Sequence, residues 1–204
     1  MLSYNKIVDF NNLYVIEPKK FIDNRGYFQE IFNEDEFKSY TNIDFHPVQE
    51  NESCSSFGVV RGLHFQMNDF QQAKLVKCLE GRIIDVALDI TPSSPSFGKL
   101  FSIVLSKDNN KQLFIPKGYA HGFIAIDSTN TIRYLTDNPY SPSNENGILF
   151  DTNFILKALK NALPETQFTY QNYLDNKFEL IASDKDITFQ NWKNYKELNE
   201  IPTL

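Results

Sequence analysis

The stretch "KLVKCLEGRIIDVALDI", residues Lys74–Ile90, is the most informative about the fold of this chain. In its second half, aliphatic side chains at every second position from Ile84 to Ile90 alternate with Asp85 and Asp89, which share the opposite face. A period of two is typical of a β-strand, and the glycine-containing step between the two runs indicates a turn. The stretch therefore predicts two consecutive strands joined by a tight connection.

Similar runs recur along most of the chain, separated by turn-forming residues. Four of them are "LFSIVLS" (Leu100–Ser106), "QLFIP" (Gln112–Pro116), "HGFIAI" (His121–Ile126) and "TIRYLT" (Thr131–Thr136). Two segments instead show helical spacing and helix-start residues, at Asn33–Tyr40 and Asn153–Leu163. Many short, evenly spaced strands predict an all-β jelly roll, a sandwich or barrel, over residues 14 to 150. A mixed helical extension follows from 151 to 204, within a single domain.

Composition narrows the class of protein. The 204 residues are 41% hydrophobic and 14% aromatic, enough to fill the core of one sheet-rich domain. The net charge of −6 argues against a nucleic-acid partner but leaves room for a small phosphorylated ligand. Cys54 and Cys78 form no CxxC motif and are interpreted as small hydrophobic residues. No signal peptide and no apolar run of roughly 20 residues is seen, so a cytoplasmic protein without a membrane partner is expected.

His64 lies in "VVRGLHFQ", Val59–Gln66. Alternation turns His64 away from Leu63 and Phe65, toward the inside of the predicted barrel, where ligands commonly bind. A histidine in a pocket is a candidate general base near neutral pH, and it then needs a carboxylate behind it to fix its tautomer. A histidine that simply satisfies the core is the alternative.

Three further types of side chain are candidates for the same pocket. Lys74 shares a strand face with apolar residues, which is unusual for lysine and suits a cation beside an oxyanion. Arg25 and Arg61 each precede a glycine, and their planar guanidinium groups suit phosphate. Tyr134 and Tyr140 carry phenols that can donate a proton. For each, an exposed or structural role is the alternative.

A metal site is disfavoured. β-Barrel metalloenzymes of the cupin class present two histidines one residue apart, whereas His64 is followed by Phe65 and Gln66. His121 and a carboxylate would have to complete the ligand set. The sequence therefore predicts neither a metal nor a redox cofactor, and it contains no GxGxxG fingerprint.

Taken together, several long motifs resemble the dTDP-4-dehydrorhamnose 3,5-epimerases and related nucleotide-sugar epimerases, which are metal-independent cupins. The resemblance covers roughly residues 17 to 150. Its carriers are "FIDNRGYFQEIFNEDEF", "VQENESCSSFGVVRGLHFQ", "QQAKLVKCLEGRIIDVALDITPSSPSFGK", "QLFIPKGYAHGF" and "YLTDNPYSPSNENGI".

The resemblance implies a role for each matching residue. His64 matches the base, and Asp186 in "SDKD" matches its carboxylate partner. Lys74 matches the lysine beside the sugar carbonyl, and Tyr134 matches the proton donor. The implied substrate-binding positions are Arg25, Phe28, Glu30, Gln49, Asn51, Arg61, His121 and Tyr140. In this family the N-terminal strand crosses to a neighbouring subunit, so a homodimer is expected in which Arg25 and Glu30 serve the partner's site.

The implied substrate is a nucleotide-diphosphate 4-keto sugar. Its carbonyl acidifies the C3 and C5 protons, so abstraction and return on the opposite face would invert a centre without a cofactor. The residues leave open the nucleotide (dTDP, GDP or other), a 6-deoxy sugar or a heptose, and inversion of C3 alone or of both centres. After residue 151 the chain departs from the family pattern. The alternatives are a cupin 3,4-ketoisomerase, a non-catalytic sugar-nucleotide binding module and a metal-dependent dioxygenase.

Overall fold

The computed structural model describes residues 2–163 and 180–197 of the chain. Within them the backbone forms thirteen strands and three α-helices. The strands are β1 (Leu2–Lys6), β2 (Tyr14–Pro18), β3 (Phe21–Asp23), β4 (Gly26–Phe28), β5 (Gln49–Ser56), β6 (Val60–Gln66), β7 (Lys74–Glu80), β8 (Arg82–Asp89), β9 (Leu100–Ser106), β10 (Gln112–Ile115), β11 (Tyr119–Ala125), β12 (Thr129–Thr136) and β13 (Glu145–Gly147). The helices are α1 (Glu34–Thr41), α2 (Thr152–Ala162) and α3 (Trp192–Glu197). Single 3₁₀ turns lie at Asn68–Phe70, Pro142–Asn144 and Asp186–Thr188.

Eleven of these strands form two antiparallel sheets. The larger has six strands in the order β1-β2-β10-β7-β12-β5, and the smaller has five in the order β13-β6-β11-β8-β9. Strands β3 and β4 pair only with each other, as a separate hairpin. Consecutive strands β7 and β8 lie in different sheets, so the connection predicted from the opening stretch passes from one layer to the other.

Three apolar clusters hold the layers together. The central one joins inward-facing side chains of both sheets, among them Val76 and Ile132 from the larger sheet and Phe123 from the smaller. Helix α1 covers the outer face of the larger sheet through Phe37. Helix α2 covers the outer face of the smaller sheet, where it meets Val86 and its neighbours. Both sheets are therefore buried on both faces over much of their area, which explains why Asp85 and Asp89 are buried as well.

Helix α1 begins at its predicted N-cap, and helix α2 begins one residue before its predicted start. The Asn33 side chain accepts a hydrogen bond from the backbone N–H of Glu36, and the Asp151 side chain accepts one from that of Phe154. Along α2, Ile155 and Leu159 are buried against the smaller sheet. Such an apolar stripe stabilises a short helix mainly through packing rather than through helix propensity.

The predicted fold class is confirmed: the chain is an all-β jelly roll with a few short helices. The predicted strand Leu100–Ser106 has the observed bounds, and the other predicted bounds differ by at most two residues at the strand ends, where sequence patterns are least informative. Two parts of the predicted C-terminal extension, 164–179 and 198–204, lie outside the described residues. Among the described helices, none is both long and apolar enough to cross a membrane.

Candidate active site

A cavity of about 350 Å³ opens between the two sheets, lined by residues of β5, β6, β7, β12 and β13. The structure brings seven of the predicted site residues to its wall: Gln49, Asn51, Arg61, His64, Lys74, Tyr134 and Tyr140. They come from segments up to 91 positions apart in the sequence. The jelly roll alone therefore assembles most of the predicted pocket.

His64 and Asp186 form a hydrogen-bonded pair at one side of this cavity. The Nε2 atom of His64 lies 2.7 Å from Oδ1 of Asp186, and the other carboxylate oxygen accepts a 3.0 Å hydrogen bond from the backbone N–H of Gly62. Burial raises the pKa of Asp186, but the hydrogen bonds from His64 and Gly62 outweigh it and hold that pKa below its ordinary value. Asp186 is therefore ionised at neutral pH, and its hydrogen bond orients the imidazole of His64.

Position 62, between Arg61 and Leu63 in β6, requires a glycine. Its φ is +107°, in the region that favours glycine. A Cβ built at this position would lie 2.6 Å from the carbonyl oxygen of His121 and 2.7 Å from the Cα of Gly122. Only glycine lets β6 approach β11 this closely while its N–H still reaches Asp186.

Lys74 begins β7 on the cavity side, with Val76 and Cys78 following it on the inward face. Burial lowers the pKa of Lys74 to about 8, and the nearby carboxylates of Glu145 and Asp85 oppose part of that effect. Lys74 is thus a cation at neutral pH in a poorly solvated position. A cation so placed interacts strongly with negative charge that develops in the cavity.

Tyr134 lies on β12, in the sheet opposite His64. Its hydroxyl lies 2.9 Å from the Oγ of Ser53 on the neighbouring strand β5. Burial raises the pKa of Tyr134, while the hydrogen bond with Ser53 lowers it. The phenol is therefore protonated throughout the neutral range and is available as a proton donor.

Arg61 and a polar network complete the wall. The guanidinium of Arg61 donates to the Oγ of Ser55 at 3.1 Å and to the carbonyl of Cys54 at 3.3 Å. Elsewhere on the wall, Gln49 accepts a 2.8 Å hydrogen bond from the backbone N–H of Tyr140 and donates one of 2.9 Å to Asn51. These contacts hold flexible polar side chains in place before any ligand binds.

His121 lies behind the cavity wall rather than on it. Its Nε2 atom is 2.8 Å from Oδ1 of Asp85, and both side chains are almost completely buried. Burial lowers the pKa of His121, although Asp85 acts in the opposite direction. The ring of His121 meets that of Tyr134 edge to face, with centroids 6.1 Å apart. His121 therefore supports the cavity wall from behind, through its contact with Tyr134 of the opposite sheet.

Three predicted residues lie away from this cavity. Arg25, on the β3–β4 hairpin, pairs with Asp23 at 2.6 Å and has 85% of its side chain exposed. Phe28 is 72% exposed on the same hairpin. Glu30 lies close enough to Tyr4, outside the larger sheet, to help raise the pKa of that tyrosine. A single chain therefore does not bring Arg25, Phe28 and Glu30 to its own cavity.

Sequence reasoning missed three residues of the site. From the sequence, Asp85 was seen only to share a strand face with Asp89. In the sheet it lies on β8, two residues from Ala87, which pairs with His121 on β11. Glu145 accepts from the Tyr140 hydroxyl at 2.5 Å and pairs with Lys185 at 2.7 Å. No sequence pattern pointed to Ser53 as a site residue. Across residues 2–163 and 180–197, no three His, Cys, Asp or Glu side chains are grouped to hold a metal ion.

The chain matches known proteins over most of its length. The family model described as dTDP-4-dehydrorhamnose 3,5-epimerase matches residues 8–194. The enzyme of that name from Escherichia coli K12 is 43% identical over 143 residues, which cover 70% of this chain and 77% of that protein. The one from Methanothermobacter thermautotrophicus is 37% identical over 183 residues, covering 90% and 89%. The crystal structure of the dTDP-6-deoxy-D-glucose-3,5-epimerase from Legionella pneumophila, in complex with dTDP-4-keto-L-rhamnose, superposes with a TM-score of 0.83 at 31% identity, covering 100% of this chain and 99% of that one.

Proposed function

Because the chain belongs to the dTDP-4-dehydrorhamnose 3,5-epimerase family, we propose that it inverts C3 and C5 of a dTDP-linked 4-keto-6-deoxy sugar. The chain is an isomerase of the epimerase class. One observation carries the choice of reaction: His64 and Tyr134 project into one cavity from opposite sheets. A base and an acid on opposite walls are what the inversion of a carbon centre requires.

The chemistry follows from the 4-keto group. His64 removes a proton from the carbon next to the carbonyl, and the electron pair moves onto the C4 oxygen as an enolate. The imidazolium that forms is stabilised by Asp186, 2.7 Å away. Lys74 holds the enolate oxygen, and Tyr134 returns a proton to the opposite face of the ring. No electrons leave the sugar, so the reaction is balanced without a redox cofactor.

The nucleotide end of the substrate requires cations and polar groups. We assign the diphosphate to Arg61, which is oriented by Ser55 and the Cys54 carbonyl. Gln49, Asn51 and Tyr140 line the same cavity and are assigned to the sugar nucleotide. His121, behind the wall, is assigned to holding Tyr134 in place beside the sugar, through the contact between their rings.

We further propose a homodimer in which the β3–β4 hairpin reaches the partner's cavity. The hairpin pairs with no other strand of the described chain, and it exposes Ile22, Tyr27 and Phe28 by 59% to 79%. Isolated two-stranded hairpins are marginally stable in water, so a covering surface is expected. Arg25 would then add a second guanidinium to the partner's diphosphate, and Glu30 would follow it into that site.

We also propose that residues 1–204 form one domain. The jelly roll of about 14–150 and the extension of about 151–204 share a core, since Ile155 and Leu159 of the extension pack on the smaller sheet. The extension also brings Asp186 to His64. A domain boundary between the two parts would place His64 and Asp186 in different domains.

The test is proton exchange in D2O, followed by NMR at C3 and C5 of the 4-keto sugar. We expect deuterium at both carbons, with inversion, for the dTDP-linked 6-deoxy sugar and slower reaction for the GDP- and UDP-linked forms. Exchange at C3 alone would reduce the assignment to a 3-epimerase. A 3-keto product would identify a ketoisomerase, and binding without exchange a non-catalytic module. Activity lost to chelation and restored by iron would identify a metal enzyme.

A further inference from the structure

Ser53 is the polar neighbour of Tyr134 inside the cavity. The two residues lie on the paired strands β5 and β12, where Ser53 is directly opposite Ile132 and Tyr134 is opposite Asn51. Side chains at such diagonal positions share one face of the sheet and lie within reach of each other. Here the two oxygens are 2.9 Å apart, and both residues line the cavity.

This contact matters because Tyr134 becomes charged if it donates its proton. Burial disfavours the phenolate, as the raised pKa of Tyr134 indicates, whereas the hydrogen bond with Ser53 and the charge of Arg61 favour it. Within residues 2–163 and 180–197, Ser53 is the only hydrogen-bond partner of the Tyr134 hydroxyl. Leaving a buried anion without a donor would be costly, so the hydroxyl of Ser53 is well placed to stabilise it.

We infer that Ser53 is a positioning residue for the proton-donating step, holding the Tyr134 hydroxyl in place and donating a hydrogen bond to the phenolate that forms. In that step the tyrosine O–H bond breaks and a C–H bond forms with the enolate electron pair. The C4 carbonyl is restored, and the negative charge moves to the tyrosine oxygen. Ser53 keeps its own proton. Before the next turnover the imidazolium of His64 releases its proton to water, and a proton from water restores the phenol. The inference rests on the proposed function.

The neighbouring serine provides a matched control. Ser55 lies two residues further along β5 and accepts a hydrogen bond from Arg61 instead of contacting Tyr134. The two serines of β5 therefore have different roles. Ser53 contacts Tyr134, the proposed acid, and Ser55 orients Arg61, which is assigned to the diphosphate. Both changes to alanine remove one hydroxyl and no other atom, so the comparison isolates the hydrogen bond.

The experiment measures deuterium exchange and inversion together in Ser53→Ala, Ser55→Ala, Ser53→Thr and Tyr134→Phe, with the dTDP-linked 4-keto sugar in D2O. In Ser53→Ala we expect exchange within about twofold of the wild-type rate and inversion about 10- to 100-fold slower, as for the loss of one hydrogen bond to a developing anion. Ser53→Thr should restore inversion because it keeps the hydroxyl. Ser55→Ala should raise KM while leaving the ratio of exchange to inversion unchanged.

Two results would overturn the inference, and they differ from failure of the proposed function. If Tyr134→Phe separates exchange from inversion but Ser53→Ala does not, Tyr134 remains the acid and Ser53 has no positioning role. If Ser53→Ala lowers exchange and inversion equally, its effect is structural. Parallel loss of both signals in Tyr134→Phe, by contrast, would remove Tyr134 from the role of acid itself.

Discussion

The described residues contain two histidine–aspartate pairs of nearly equal length, and these pairs differ in almost everything else. His121 and Asp85 come from adjacent strands of one sheet, 36 residues apart, and are buried to within a few per cent. His64 and Asp186 are 122 residues apart, and 27% of the His64 side chain is exposed toward the cavity. The pair within one sheet is closed to solvent, whereas the pair that joins a strand to a later turn leaves part of the imidazole exposed. Access, more than hydrogen-bond geometry, makes one pair suitable for catalysis.

Burial also sets the charge state of the closed pair. Removing His121 from water lowers its pKa even though Asp85 is beside it, so a neutral imidazole faces a buried carboxylate. A neutral ring with a fixed tautomer is a hydrogen-bonding group rather than a base that changes charge in every cycle. The comparison therefore predicts that changes at the open pair affect the rate and that changes at the closed pair affect stability.

The largest effect is expected from His64→Asn. Loss of a general base costs typically 10²- to 10⁴-fold, and the expected loss here is about 10³-fold in both exchange and inversion. Affinity for dTDP, measured by calorimetry, should change little because the diphosphate is assigned to Arg61. An unchanged exchange rate would mean that another group removes the proton.

Asp186→Asn should lower the rate by a smaller factor, about 10²-fold, because the imidazole remains but loses its orientation and the negative charge beside the imidazolium that forms in the reaction. The loss should appear in kcat more than in KM. Asp186→Glu serves as the control, since it keeps the charge and displaces it by one methylene. If Asp186→Asn were as active as wild type, the open pair would be a structural contact like the closed one.

Asp85→Asn should lower the stability of the fold more than Asp186→Asn does. One Asp85 oxygen has no hydrogen-bond partner among the described residues, so the amide that replaces it would carry N–H groups without an acceptor. We expect a loss of about 2 kcal/mol in the free energy of unfolding, measured in urea. Asp186→Asn should cost less than half as much, because its retained oxygen can still accept from Gly62 and water can reach His64. Equal losses would remove the distinction between the pairs.

The open pair also shows how far the sequence alone could reach. Strict alternation placed His64 on the inner face, and the same rule placed Lys74 and Tyr134. The aspartate partner of each histidine was harder to predict. Asp85 meets His121 because β8 lies beside β11 in the sheet, and no local pattern specifies that pairing. Asp85 was therefore missed, and Asp186 was assigned only through a short motif beyond an unusual segment. The close approach at Gly62, which links β6 to both pairs, depends on backbone packing that no residue pattern reveals.

The charge of Lys74 should make kcat/KM depend on pH. The buried Lys74 has a pKa of about 8, so its cation is present below that pH and is lost as the pH rises through it. If the cation holds the enolate, kcat/KM should decline on the alkaline side, falling roughly tenfold by pH 9 relative to its plateau. Tyr134 cannot cause this decline, because burial keeps it protonated in that range.

Two variants assign the alkaline decline to one lysine. Lys77 also has a pKa of about 8, but it lies on the outer face of β7 and donates to Asn110, so Lys77→Gln should keep the decline unchanged. Asp85→Asn should move the decline to lower pH, because the carboxylate of Asp85 raises the pKa of Lys74. A midpoint that moves with Lys77→Gln, or stays fixed in Asp85→Asn, would show that the decline does not arise from Lys74. The closed pair would then stabilise the fold without influencing the cation of the open site.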